Sequence, residues 1–333
     1  MLRKFLLFLF IVILVIVLLL PSSPLWGKRV LSWGANHYLK DIHIESFDYE
    51  RATFRWPSRW DFSSFFLTLK KDNVVYRIRI PSFSFSWNFP NVVHISFEHA
   101  GIESSLFKAG GVSLQGNAVF GSKAAKIKGE ARGDSLSVNN YVITNIRSSL
   151  GGEKNLIVFP DFTADCYGGA IEGEISLEYA PKISYSITIK MKDAESGLLK
   201  EANPAVFSQM TGKMTGFIRL AGRPEGIDRL EGSFDMTGGG TLQASVLGFL
   251  IPHLPESQQK KQLESLVRSN GNIPFEKGTL TLKNLDRETL SSQIGLESKS
   301  FNLDLDVGLD IHVDGGLNQL LNLMKPQIAE ENL

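Results

Sequence analysis

The sequence predicts a mainly β protein: an N-terminal transmembrane helix, then a long, strongly curved antiparallel sheet forming an open apolar groove, with a few short helices. Three observations predict it. One unbroken apolar run stands near the N-terminus, apolar residues beyond it recur at every second position, and helical periodicity is sparse. Composition narrows the class further. At 43% hydrophobic the chain is too apolar for a disordered protein, and 35 basic against 35 acidic residues leave no basic excess for binding nucleic acid. The single cysteine, Cys166, has no partner for an internal disulfide, which leaves the redox compartment open.

The apolar run covers residues 5–20, preceded by Arg3 and Lys4. Sixteen residues at ~1.5 Å each span ~24 Å, short for a bilayer but workable with flanking residues. The rival reading is a cleaved signal peptide, which Pro21 and Pro24 at the junction argue against. An uncleaved signal-anchor is therefore expected over 1–27, with its tip in the cytoplasm and the bulk of the chain across the membrane. Arg3, Lys4, Trp26, Lys28 and Arg29 are assigned to the membrane interface. All five tryptophans fall within the first 87 residues, interleaved with Arg51, Arg55 and Arg59. Trp56 and Trp60 fit a headgroup layer and ordinary sheet packing equally well.

Alternation then dominates. Tyr76, Ile78 and Ile80 share one parity, and after Pro81 the apolar parity moves to Phe83, Phe85 and Trp87, which reads as a bulge or edge kink. Ile175 and Leu177 share a parity, as do Tyr185, Ile187, Ile189 and Met191. The longest such segment is 301–313, with Phe301, Leu303, Leu305, Val307, Leu309 and Ile311 on one face and Asp304, Asp306, Asp310 and His312 on the other. Thirteen residues at ~3.3 Å give ~43 Å, about twice an ordinary strand. Helices are expected only as a short piece within 194–210, a pair at 242–250 and 256–268, and a last one at 317–324. That is little cover for so much one-sided sheet. A sheet curved around its own apolar trough resolves the mismatch, and Gly169, Gly173, Gly216 and Gly232 stand where a missing side chain permits sharp coiling.

From about residue 150 the order of features resembles the C-terminal region of the AsmA-like family of bacterial envelope proteins. The carriers are DCYGGAIEGEISLEY at 165–179, a second alternating strand, TGKMTGFIRLAG at 211–222, LEGSFDMTGGGTL at 230–242, a proline-bounded helical pair and FEKGTLTLKNL at 275–285. Residues 30–150 resemble the family only loosely. The resemblance implies a single-pass bacterial inner-membrane protein with a periplasmic β-groove that binds or transfers lipid, specifically phospholipid, in envelope biogenesis or homeostasis. It divides the chain into the anchor at 1–27, an N-terminal groove part at 28–149, the AsmA-like region at 150–325 and a tail at 326–333. The largest members are many times longer, so this chain offers one groove module, with an envelope protein partner or a homo-oligomer left open. The groove lining is assigned to the apolar rows named above, from Tyr76 to Ile311.

No catalytic constellation is present. The six histidines are scattered without metal spacing, Cys166 has no activating neighbours in sequence, and Gly238 to Gly240 lack the Lys-Ser/Thr of a phosphate loop. Asp304, Asp306 and Asp310 share one strand face, but alternate strand residues sit ~6.6 Å apart and the run lacks the glycine turn of a calcium loop, so a solvated face is expected and no metal or other cofactor. The chain is read as no enzyme. The alternative function is a structural or assembly factor for outer-membrane proteins or envelope complexes, working by strand addition at a sheet edge.

Overall fold

The computed structural model describes residues 43–312 apart from 57, 72–73, 89–90, 106, 121–124, 139, 179–182, 201–208, 224–225 and 254. The proposed anchor, its interface residues Arg3, Lys4, Trp26, Lys28 and Arg29, and the helix expected at 317–324 lie outside the described residues. Among those described, no helix is long and apolar enough to cross a membrane. Among the described residues the chain is mainly β, with eighteen strands in an antiparallel sheet that is not closed. It forms two compact units, residues 1–138 with 145–154, and residues 139–144 with 155–333.

The first unit is a meander. β3 (Arg59–Lys71), β4 (Val74–Asn88), β5 (Val92–Glu103), β6 (Phe107–Phe120) and β7 (Ala125–Val138) pair in sequence order. β1 (His43–Asp48) and β2 (Arg51–Arg55) both pair with the outer edge of β3, as two pieces of one broken strand. Tyr49 fills the break, 1% exposed and edge-on to Phe62 at 5.6 Å. β8 (Tyr141–Glu153) crosses the division between the units.

A line of kinks crosses this meander. β4 runs for 15 residues straight through Pro81, and its registers with β3 and β5 are the same on either side: Phe65 opposite Ile80 and Ser63 opposite Ser82, then Arg79 opposite Gly101 and Ser82 opposite Glu98. Of the bulge or edge kink expected at Pro81, the bulge is absent, since neither pair slips there, and β4, paired on both sides, is not an edge strand. Its neighbours yield instead. Ser64 and His99, opposite Pro81 on the two flanking strands, adopt left-handed φ of 51° and 56°, and Gly111 of β6 adopts 64°. The two β5–β6 register shifts fall here, and the freed His99 N–H donates to Ser113 Oγ at 3.2 Å. Each kink exchanges odd for even positions, so the same face stays apolar. Phe62 and Phe65, on opposite parities of β3, both touch Phe83, with centroids 5.6 and 5.9 Å away.

In the second unit β9 (Leu156–Cys166), β10 (Gly169–Glu178), β11 (Ser184–Glu195), β12 (Met210–Arg223), β13 (Gly226–Asp235), β16 (Lys277–Asn284), β17 (Thr289–Ser298) and β18 (Leu303–His312) pair in that order. The DCYGG segment is the turn between β9 and β10. Tyr167 and Gly168 both take left-handed φ, the Tyr167 hydroxyl accepts from Val142 N at 2.9 Å, and its carbonyl accepts from Glu195 N at 2.9 Å. The helical piece expected within 194–210 is α1 (Ser196–Leu199), four residues long.

Between β13 and β16 the chain leaves the sheet and builds a cap. β14 (Gly240–Gln243) and β15 (Asn272–Phe275) pair with each other, and β14 also pairs with the start of β12. A 3₁₀ segment (Ala244–His253) and α2 (Gln258–Arg268) connect them, where the sequence predicts the helical pair. Ser257 caps α2 by accepting from Lys260 N at 3.1 Å. Leu247, Leu263, Ile273 and Phe275 pack with Met236, Leu296 and Leu305 in a closed core.

Candidate functional site: the uncovered apolar face

Long strands with one apolar face must bury that face or leave it for a ligand. In the first unit the face is aromatic. Phe62, Phe83, Phe97, Leu114 and Ala131 stand in register across β3 to β7, and Trp60, Phe85 and Ile95 form the next row. Phe54 lies 4.8 Å from Trp60, which lies 6.3 Å from Phe62, so ring contacts run on from β2 to Phe83. Of the lining expected here Ile80 is buried, Tyr76, Ile78, Phe83 and Phe85 are half-buried, and Trp87 is 50% exposed. No helix occurs among the described residues of this unit.

In the second unit Ile175, Ile187, Leu220 and Leu230 stand in register across β10 to β13. Tyr185, Ile187, Ile189 and Met191 follow the expected parity and are half-buried; Ile175 is half-buried and Leu177 is at the exposed limit. Burial pushes the Tyr185 hydroxyl pKa up, and the nearby Asp228 carboxylate adds to the shift. Strands approach closely at glycines of the neighbouring rows, Gly173 opposite Ile189 and Gly216 opposite Met191. A Cβ on Gly173 would overlap the Thr188 carbonyl oxygen, and one on Gly216 the carbonyl of Ser233.

The third expected stretch behaves differently. Leu305 is 6% exposed within the cap's core, and Phe301, Leu303 and Val307 pack against it. These four are filled by protein and leave the candidate lining; only Leu309, half-buried, and Ile311, 43% exposed, extend past the cap. The strand is also shorter than expected, because a turn at Lys299 to Asn302, closed by Asn302 N donating to Lys299 O at 3.1 Å, delays its start to Leu303.

The opposite face is polar and paired. Glu231 bonds Arg229 at 2.7 Å and Arg219 at 3.6 Å, and the Arg229 bond first of all holds the Glu231 carboxyl below the usual range. Asp228 pairs with Arg287 at 2.7 Å and Arg223 at 3.5 Å. A polar hollow of about 350 Å³ on β13, β16, β17 and β18 is lined by Asp235, Thr279, Asp304 and Asp306 among others. Gln293 donates to both oxygens of Asp306, at 3.0 and 3.2 Å. Among the described residues no three His, Cys, Asp or Glu side chains are grouped to hold a metal. Cys166 is buried at the end of β9, and burial pushes its thiol up to about 11, away from the thiolate a nucleophile needs.

Ile95 and Phe97 continue the alternation legible in the sequence, while Trp60, Phe62, Phe65 and Ile218 are members of these rows that sequence reasoning missed. Their alternation is present but crosses kinks, so a search for one unbroken parity shortens every row. No family model, curated protein or solved structure matches the chain.

Proposed function

We propose that the chain is an AsmA-type protein, anchored in the bacterial inner membrane, whose periplasmic β-sheet binds or transfers phospholipid along its uncovered apolar face. The observation that carries this reading is the half-buried apolar face itself: the in-register row Phe62–Phe83–Phe97–Leu114, in a unit with no helix among its described residues, and the pair Ile175–Ile187, whose row passes on to Leu220 and Leu230 where these pack on a small core of Ile227 and Leu290. The physics of the cargo fits such a face. Exposing a lipid chain to water costs ~0.8 kcal/mol per CH₂, roughly 12 kcal/mol for sixteen carbons, and an apolar track removes most of that without any reaction.

The work asked of the protein is then passive. Side chains of one face replace the acyl environment of the bilayer, while Arg, Glu, Asp and Lys on the other keep the sheet in water. The test is the phospholipid extracted with the purified full chain. Phe83→Asp with Ile187→Asp places charges on both apolar faces and is expected to strip the bound lipid, while Ser186→Asp, on the opposite parity, retains it. Equal phospholipid in both variants, with the β-sheet circular dichroism signal intact, contradicts the proposal.

A further inference from the structure

One rim of the first unit carries the most exposed aromatic side chains among its described residues. Trp56, in the β2–β3 turn, is 83% exposed; Trp87, at the end of β4, is 50% exposed; Phe120, at the end of β6, is 52% exposed. The hairpin ends that bear them are tied together. Trp87 N donates to Ser58 O at 3.0 Å, and Phe120 N donates to Asn91 O at 2.8 Å. Behind them on the polar side, His94 joins three strands: its Nε2 meets Asn88 Nδ2 at 3.0 Å and its Nδ1 bonds Asn117 Oδ1. These are not loose tips that happen to be greasy. Hydrogen bonds between the hairpin ends fix the backbone from which these three aromatics stand outward.

The charges beside them have one prevailing sign. Arg55 and Arg59 both hold Asp61, at 2.8 Å each, and Lys126, beside Val119 in register, pairs with Glu153 at 3.8 Å. Three basic residues face two carboxylates, a net positive rim next to aromatic rings. Rings that bridge an apolar and a wet layer, flanked by Arg and Lys, match the interface of an anionic bilayer.

The geometry points to this Trp56, Trp87 and Phe120 rim as a second membrane contact, one that docks the sheet on an anionic phospholipid surface. It rests on the membrane placement in the proposed function and adds a route to it. Trp60 adjoins Phe54 at 4.8 Å and lies opposite Phe85 in register, two positions before Trp87. An acyl chain entering at the docked rim therefore meets the aromatic row directly, without crossing water.

The test uses the full chain, with Cys166→Ala, reconstituted in phosphatidylglycerol-containing vesicles. An environment-sensitive fluorophore is placed at Val119→Cys, which keeps all three aromatics, or at Ser105→Cys, an exposed position in the β5–β6 turn at the opposite end of the strands. Docking predicts a blue-shifted Val119 probe quenched by doxyl-labelled lipid, and a water-like Ser105 probe. Replacing Trp56, Trp87 and Phe120 with Ser should abolish that quenching. Arg55→Gln or Lys126→Gln should each lower the docked-to-free ratio roughly five-fold in anionic vesicles and leave phosphatidylcholine vesicles unaffected. Equal lipid quenching at the two positions, or none at either, overturns the proposal. So does a Val119 probe shielded from water only at high protein density, which assigns the rim to a second copy of the chain. If phospholipid still extracts with the chain while the Val119 probe stays water-like, rim docking alone is wrong.

Discussion

Gly173 and Gly216 show at residue scale how tightly these strands approach. The Cβ that any other residue brings would overlap a carbonyl oxygen of the neighbouring strand, a backbone atom that cannot swing away. Gly173→Ala and Gly216→Ala are expected to cost about 1–3 kcal/mol in denaturant unfolding, as overpacking does. Gly308→Ala, with nothing within 4 Å of its Cβ, should change stability by less than about 0.5 kcal/mol. Cys166 gives an independent check on burial. With its pKa raised to about 11, the thiol stays protonated at pH 8, and alkylation should be slow until denaturant is added. The same shift has a sign in stability: it is neutral below the unfolded-state pKa near 9 and destabilises as pH rises through the folded value, because the unfolded chain ionises first. The glycines stood out in the sequence as strand positions without a side chain; the close approach of the neighbouring strand is what the structure adds. Ser64 and His99 did not stand out, because a left-handed L-residue has no compositional mark; only the change from Trp60 and Phe62 to Phe65 and Leu67 betrays Ser64.

At the scale of elements, two devices divide the sheet's apolar surface between protein and solvent. Left-handed residues in β3, β5 and β6 change the parity of their strands while one face stays apolar. Gly111→Val combines a left-handed φ with a Cβ that would strike the Asp134 side chain, so it should destabilise the first unit more than Gly101→Val, where the space is open and φ is ordinary. The cap is the second device. Ser257→Ala should cost about 1 kcal/mol through the lost α2 cap, and Leu263→Ala about 2–5 kcal/mol through a cavity over Leu305, both read in the unfolding of the second unit. The pattern of 301–313 correctly gives a one-sided strand and does not say what covers it. Alternation records which face is apolar; it cannot distinguish a face under helices from one left open, because both ask for the same residues. The cap helices were themselves readable from Pro252 and Pro255, yet nothing in sequence placed them over β18 rather than over β11.

For the molecule as a whole, a net charge of zero and a 43% apolar content describe a segregation of faces within each unit more than an average. Mainly β architecture and the one-sidedness of the rows follow from period two alone. The proposed function does not, since it rests on where cover is missing among the described residues and on the proposed docking rim. The central claim is that the uncovered face holds acyl chains, and a photo-crosslinker walked along β11 in the cell envelope tests it most directly. The account predicts phospholipid captured at Tyr185, Ile187 and Ile189 and not at Ser186, Thr188 and Lys190, a period-two pattern that follows the strand. Lipid capture without that alternation, or protein alone at all six positions, would contradict it.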